Sequence, residues 1–141
     1  MNLQLLHKNQ TGIASEFYVA GELSRMGFNV TFTFGNTKSM DLIVEKDDKL
    51  LSIQVKGIQR TKSICWNLDK TKIRNNVIYV LVNLHVDNIT TKPDFFVLTA
   101  KQAKALFKNS IKEGEKRAYL DYKSIKDNPV YKNNWTLFFE A

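Results

Sequence analysis

The sequence predicts an α/β fold in which a mixed β-sheet is flanked by helices. An amphipathic pattern over residues 11–26 indicates a helix at the start of the chain. Three strand-like segments follow, and residues 77–84 (VIYVLVNL) are nearly all apolar, which indicates a strand buried on both faces. A last helix begins at Thr99. The order helix, three strands, crossover, strand, strand, helix is typical of the α/β class.

The first helix is predicted from apolar residues that recur at helical spacing, namely Ile13, Val19, Ala20, Leu23 and Met26. Gly27 follows as its C′ residue, since glycine tolerates the left-handed backbone that ends many helices. Residues 28–34 alternate Phe or Val with polar residues and therefore predict a strand.

The remaining elements are predicted from shorter signals. The polar residues 69–76 predict a short helix or loop within the crossover, and residues 95–98 predict a short strand. Thr99 begins a helix that runs to about residue 109, because Gln102 completes a capping box. The aromatic tail predicts a short helix and a last strand.

Size and composition indicate one domain over residues 1–141. Cys65 is the only cysteine, so an intrachain disulfide is excluded, and His7 and His85 supply too few further ligands for a structural zinc site. No segment approaches the ~20 apolar residues that span a bilayer, and the first residues do not resemble a secretion signal. We therefore expect a cytoplasmic protein.

The chain carries a net charge of +7 and a pI of about 9.5. A basic balance favours polyanionic partners, because binding them releases condensed counterions. A solvated, lysine-rich surface explains the same composition, so charge alone leaves both interpretations open.

Residues 40–46 and 49–56 are predicted to form a hairpin around a two-residue turn, Asp47-Asp48. With that turn one face is wholly apolar, pairing Leu42 with Ile53, Val44 with Leu51 and Met40 with Val55. The other face pairs Asp41 with Gln54, Ile43 with Ser52 and Ser39 with Lys56. A slip of one residue would destroy both patterns, since side chains alternate between faces with period two.

This register gathers Asp41, Gln54 and Lys56 on one face. Facing Cβ atoms lie about 5 Å apart, and that spacing lets two oxygens bind one Mg²⁺ ion at about 2.1 Å each. Lys56 would then neutralise a phosphate or orient the attacking water, which is what phosphodiester hydrolysis requires. An ordinary solvent-facing strand pair carries the same residue types, so the pattern alone is weak.

Glu16 lies near the middle of the apolar stripe of the first helix, so its carboxylate is predicted to face the sheet. Buried carboxylates are rare unless they are paired or bind a metal. Three interpretations stay open. Glu16 joins Asp41 as a ligand, it forms a salt bridge with an internal cation such as Lys56, or its side chain extends past the edge of the apolar stripe toward solvent.

At these residues the sequence resembles the PD-(D/E)XK nuclease superfamily. The resemblance is strongest over residues 11–57, where Glu16 lies in the first helix, Met40-Asp41 stands at the PD position and Gln54-Val55-Lys56 stands at the (D/E)-x-K position. It extends more weakly to about residue 110. It is closest to small resolvase-like and type IV restriction-like branches, some of which use Q-x-K.

The resemblance implies a restriction-endonuclease-like fold with an αβββαβ core, and Mg²⁺-dependent cleavage of DNA. Asp41 and Gln54 would bind the metal, Mn²⁺ being a substitute, with Glu16 as an auxiliary acidic ligand and Lys56 as the catalytic lysine. Gln54 departs from the usual acid. Its amide oxygen can still bind Mg²⁺ but brings no charge, so metal affinity should fall unless Glu16 or a substrate phosphate compensates.

Lys38, Arg60 and Lys62 flank the predicted site and are candidate contacts for phosphates, the alternative being solvated loops. The chain is expected to have no room for a separate recognition domain, so sequence specificity would need a dimer, a partner protein or a structured DNA substrate. A two-fold homodimer is the simplest way to cut both strands. The competing functions are a nucleic-acid-binding module without catalysis and a protein-interaction module on the same fold. No small-molecule cofactor and no membrane association are expected.

Overall fold

The computed structural model describes residues 6–33, 41–60, 65–109 and 116–140. The helices are α1 (Lys8–Arg25), α2 (Ala100–Leu106), α3 (Tyr122–Ile125) and α4 (Leu137–Glu140). The strands are β1 (Asn29–Phe32), β2 (Leu42–Lys46), β3 (Lys49–Ile58), β4 (Cys65–Asp69), β5 (Val77–Asn83), β6 (Asp94–Leu98), β7 (Lys108–Asn109) and β8 (Arg117–Asp121). Within these ranges no helix is both long enough and apolar enough to cross a bilayer.

The strands form two sheets. The larger sheet has the order β1-β2-β3-β5-β6, in which β3 and β5 are parallel and the other neighbours are antiparallel. The smaller sheet is antiparallel, with the order β4-β8-β7. The predicted mixed sheet with flanking helices is therefore confirmed. The described part of the β3–β5 crossover contains β4 and one 3-10 turn, Lys70–Lys72, at the place where an αβββαβ core has a helix.

The predicted hairpin register is confirmed over the whole of β2. The pairs run from Leu42 with Ile53 to Lys46 with Lys49. Asp47 and Asp48 have φ angles of 51° and 65°, which is the signature of a type I′ turn, whose twist matches that of the two strands. Met40 and Ser39 lie outside the described residues, so their predicted pairings are not observed.

The two faces of the large sheet support separate cores. On one face α1 packs through Val19 and Leu23 against Ile53 and Val55 of β3. On the other face the small sheet and α2 cover the large sheet, with Trp66 and Phe107 fully buried. Because both faces are covered, every residue of β5 is buried, as its continuous apolar sequence predicts.

The predictions for the helix boundaries were partly wrong. Helix α1 begins at Lys8 rather than residue 11, because His7 caps it: the Asn9 N–H donates to His7 Nδ1, and the Gln10 side chain accepts from the His7 N–H. Helix α2 has the predicted Thr99–Gln102 capping box. It ends at Leu106 rather than near 109, because Phe107 leaves the helical conformation and is buried in the core.

The inner face of α1 also differs from the prediction near its start. Ile13 is 55% exposed, whereas Thr11 and Ser15 are buried. The cause is a close approach to β3 at Gly57. A Cβ atom on Gly57 would lie only 2.0 Å from Ser15 Oγ and 3.0 Å from Ser15 Cβ. Only small side chains fit here, and the contact fixes how closely α1 carries Glu16 to the β2–β3 hairpin.

We expect Gly57→Ala to lower the free energy of unfolding by about 1–3 kcal/mol, because α1 must move away from β3 to admit the methyl group. Chemical denaturation measures this. Gly21→Ala is the matched control: a Cβ atom added there would have no other atom within 4 Å, so removing a helical glycine should stabilise by roughly 0.5–1 kcal/mol. Equal effects at both glycines would contradict the close contact.

Candidate active site

Asp41 is fixed where the β2–β3 ladder is interrupted. Ile53 is the register partner of Leu42. The preceding residue, Asp41, bonds to the same residue of β3, because its N–H donates to the Ile53 carbonyl at 2.7 Å. The Val55 N–H then donates to Asp41 Oδ2 at 2.8 Å. The carboxylate thus takes the place of a backbone acceptor on the neighbouring strand. This interruption holds the Asp41 side chain in one orientation.

Gln54 contacts Asp41 through its side chain, although the pairing of β2 with β3 begins only at Leu42 and the two are not register partners. Its Nε2 donates to Asp41 Oδ2 at 3.1 Å, and the side chain is only 8% exposed. Lys56 lies two residues further along β3, on the same face, and is half-buried. The structure therefore brings three of the predicted site residues together at one point of the sheet.

Glu16 approaches this cluster from helix α1. Helix α1 packs on the apolar face of β3, so Glu16 does not share the strand face of Gln54 and Lys56. Burial raises the pKa of the Glu16 carboxyl to about 7, and the negative charge of Asp41 acts in the same direction. In the described structure Glu16 has no salt bridge, so the proposed ion pair with Lys56 is not formed.

Asp41 and Lys56 are shifted toward their neutral forms as well. Burial raises the pKa of Asp41, against the opposing effects of the Val55 N–H and the Lys56 charge. Burial lowers the pKa of Lys56; Asp41 opposes this, while Arg117 and Lys8 lower it further. Three titratable groups with such shifts in one place are typical of functional sites.

The residue types fit a divalent cation. Two carboxylates, Asp41 and Glu16, are desolvated without a full complement of opposite charge, and hard cations such as Mg²⁺ prefer oxygen ligands of this kind. Among the described residues no group of three or more His, Cys, Asp or Glu could hold a metal. Gln54 lies against Asp41 as well, but its amide nitrogen, not its oxygen, faces the carboxylate.

Sequence reasoning missed two cations of the site. Arg117, on β8, and Lys8, in the first turn of α1, line a pocket of about 600 Å³ together with Lys56 and the predicted Arg60. No sequence signal indicates Arg117, because it lies far along the chain in another sheet. Lys38 and Lys62 lie outside the described residues.

His85 and Cys65 do not belong to the candidate cluster. His85 is buried, and its Nε2 lies 2.8 Å from Asp94 Oδ2, which also accepts from the Tyr122 hydroxyl. This network ties β5, β6 and α3 together. Burial and the charge of Asp121 raise the pKa of the Cys65 thiol, which disfavours the nucleophilic thiolate.

A family model described as PD-(D/E)XK endonuclease matches residues 6–124. The chain belongs to the PD-(D/E)XK endonuclease family. The resemblance seen over residues 11–57 is thereby confirmed and extended to most of the chain. A comparison with curated proteins gives no match.

Solved structures show the same fold. The bacterial homing endonuclease I-Ssp6803I superimposes with a TM-score of 0.66 and 16% identity, over 96% of this chain and 95% of that one. The Holliday junction resolvase Hjc of the archaeal hyperthermophile Archaeoglobus fulgidus superimposes with a TM-score of 0.52 and 14% identity, over 79% of this chain and 84% of that one. The predicted restriction-endonuclease-like fold is thus confirmed for this PD-(D/E)XK protein.

The raised pKa of Glu16 predicts a pH dependence of stability. A carboxyl whose folded-state pKa is raised from 4.5 to about 7 favours the folded state most at low pH, and this contribution is lost as the pH rises from 4.5 through 7. Glu16→Gln has no carboxyl to ionise, so its free energy of unfolding should fall by about 1 kcal/mol less than that of wild type over this pH range. The expected difference is small because the Glu16 side chain keeps much of its contact with solvent.

Denaturation of the metal-free protein between acid and mildly alkaline pH measures the effect. Glu45→Gln, at an exposed position of β2, is the control and should keep the wild-type profile. If Glu16→Gln shifted stability by the same amount at every pH, the carboxyl would not titrate in this range.

Proposed function

We propose that this chain is an endonuclease that hydrolyses phosphodiester bonds of DNA and depends on Mg²⁺, with Mn²⁺ as a substitute. The observation that carries the proposal is the meeting of Asp41, Gln54 and Lys56 at the interrupted ladder, with Glu16 close enough for its pKa to respond to Asp41. Membership of the PD-(D/E)XK family supports the reaction class. The names of the two structural neighbours, a homing endonuclease and a Holliday junction resolvase, favour DNA as the substrate.

Asp41 and Glu16 would hold the cation. A bound Mg²⁺ ion supplies an activated water and stabilises the charge that develops on the phosphate. The Val55 N–H keeps the Asp41 carboxylate oriented toward the site, so little reorganisation is needed. Gln54 would contribute its Oε1 only after its amide turns over, because Nε2 now faces Asp41.

Lys56 would act on the substrate. Its ammonium group lies in a partly desolvated site, where a charge interacts with a phosphate more strongly than it would in water. It would donate to the scissile phosphate or orient the attacking water. Its lowered pKa also makes proton transfer easier than from a solvent-exposed lysine.

The described residues of one chain form one such cluster. Cutting both strands of a duplex with one cut per chain would require two copies, so a two-fold homodimer belongs to the proposal. The apolar side chains of Ile13 and Phe17 on the outer face of α1 are exposed and offer a surface for such contact.

Asp41→Asn and Lys56→Met should each reduce Mg²⁺-dependent cleavage of DNA by at least about 100-fold. Asn keeps an oxygen that can accept from the Val55 N–H, and Met keeps most of the lysine stem, so both variants should fold. Cleavage of plasmid, branched and single-stranded DNA is measured with Mg²⁺ and with Mn²⁺.

Lys101→Met is the charge-matched control for this experiment. Lys101 is exposed on α2 and lines neither pocket at the site, so its replacement should leave cleavage unchanged. The nuclease proposal is wrong if the wild-type protein cuts none of these substrates with either metal while it still binds DNA.

Gln54→Glu should lower the Mg²⁺ concentration for half-maximal cleavage by roughly tenfold, because affinity rises with the charge of the ligand set. Without metal the same variant should be less stable than wild type, since a carboxylate replaces the donor to Asp41 and repels it. Ser52→Glu places the same charge two residues away on the same face. If the two variants lowered the Mg²⁺ requirement equally, the proposal that Gln54 lies at the metal site would be contradicted.

A further inference from the structure

Two adjacent pockets form a groove at the candidate site. The larger one lies between the start of α1, β3 and the small sheet, and includes Lys8 and Arg60. The smaller one, of about 170 Å³, includes Gln54 and Lys72. Lys56 and Arg117 line both pockets and therefore stand where the two meet. We call the surface formed by Lys8, Lys56, Arg60, Lys72 and Arg117 the basic groove.

The positive charge of the basic groove is poorly balanced. In the described parts of the chain, no carboxylate lies within salt-bridge distance of Lys8, Lys56, Arg60 or Arg117. The single carboxylate that lines the two pockets is Asp69. Its Oδ1 already accepts from the Thr71 N–H and hydroxyl, and its Oδ2 lies 3.9 Å from Lys72 Nζ. Apart from Lys72, the cations of the groove therefore have no salt-bridge partner among the described residues and can pair with an anion.

Arg117 is held in position by a neutral residue. It faces Asp69 across the β4–β8 ladder, but its Nη1 donates to Asn67 Oδ1, at 3.1 Å. Asn67 and Asp69 are two residues apart and lie on the same face of β4. A guanidinium fixed by one neutral partner keeps most of its donors available and retains its whole charge, which suits recognition of a phosphate.

We propose that the basic groove binds the sugar-phosphate backbone on both sides of the bond cut at Lys56. Arg117, positioned by Asn67, contacts a phosphate on the side of the small sheet, and Lys8 contacts one on the side of α1. The identity of the polymer as DNA rests on the proposed nuclease function. The small sheet, which lies outside the central sheet, is on this proposal one wall of the substrate site.

The electrostatics of Lys56 agree with this assignment. Arg117 and Lys8 both lower the pKa of Lys56, so three cations act on one another across the groove. A phosphate bound between them would offset this repulsion.

Binding of a short fluorescein-labelled DNA duplex, measured in EDTA over a range of KCl concentrations, tests the proposal without cleavage. Arg117→Met should weaken binding roughly tenfold at about 0.1 M salt and reduce the slope of log K against log [KCl] by about one. Lys8→Met, at an exposed position of the first helical turn where misfolding is not a concern, should act similarly. Lys101→Met is the control and should match wild type.

Asn67→Ala tests the positioning role through a double-mutant cycle. It should weaken binding in the wild-type background and add nothing in the Arg117→Met background, a pattern that general destabilisation does not produce. If Arg117→Met and Lys8→Met both bound DNA with the affinity and salt dependence of wild type, the proposed role of the basic groove would be wrong. Cleavage is assayed separately. If the variants bind DNA more weakly but the wild-type protein cuts no DNA, the basic groove is supported and the nuclease function is contradicted. If the wild-type protein cuts DNA but the variants bind it as tightly as wild type, the nuclease function is supported and the basic groove is contradicted.

Discussion

The hydrogen bond from the Val55 N–H to the Asp41 carboxylate is the interaction on which the site depends. It joins the start of β2 to the middle of β3 where the backbone ladder is interrupted, and it places an acidic side chain among strands that are otherwise packed on both faces. The same oxygen, Oδ2, also accepts from the Gln54 amide. The interruption therefore satisfies a backbone donor and orients the proposed metal ligand at once.

Side chains that alternate along β3 belong in turn to the core and to the candidate site. Ile53 and Val55 face α1 and belong to the core, whereas Gln54 and Lys56 face the groove. Gly57 continues the inner face and brings α1 against the strand at Ser15. A change on the inner face would thus alter the distance between Glu16 and Asp41 without touching either residue. The packing contact and the site geometry are mechanically linked through one strand.

The charge balance of the site differs from that of a three-acid cluster. In the proposed ligand set Gln54 would supply an oxygen without charge, so the negative charge near the cation would come from Asp41 and from Glu16, whose pKa of about 7 leaves it partly protonated at neutral pH. Lys56 and Arg117 line both pockets of the basic groove. On this view a substrate phosphate would serve as a further anionic ligand, and metal and DNA would bind more tightly together than separately.

The sequence alone determined the elements that follow from local periodicity. The hairpin register, the meeting of Asp41 with Gln54 and the fully buried β5 were all predictable, because a period of two and a two-residue turn leave one arrangement with an apolar face. The family followed from the same residues and was confirmed over residues 6–124. The roles of Asp41, Gln54, Lys56 and Glu16 remain proposals.

Only the tertiary structure decided which distant residues join the site. Arg117 reaches Lys56 because β8 pairs with β4, and no local pattern encodes the pairing of strands so far apart in the chain. The exposure of Ile13 and the burial of Ser15 follow from the glycine on β3 that α1 meets. The periodicity of a sequence predicts which residues share one face of a helix or strand. What that face contacts is decided by long-range packing, because packing depends on the shapes and charges of both partners.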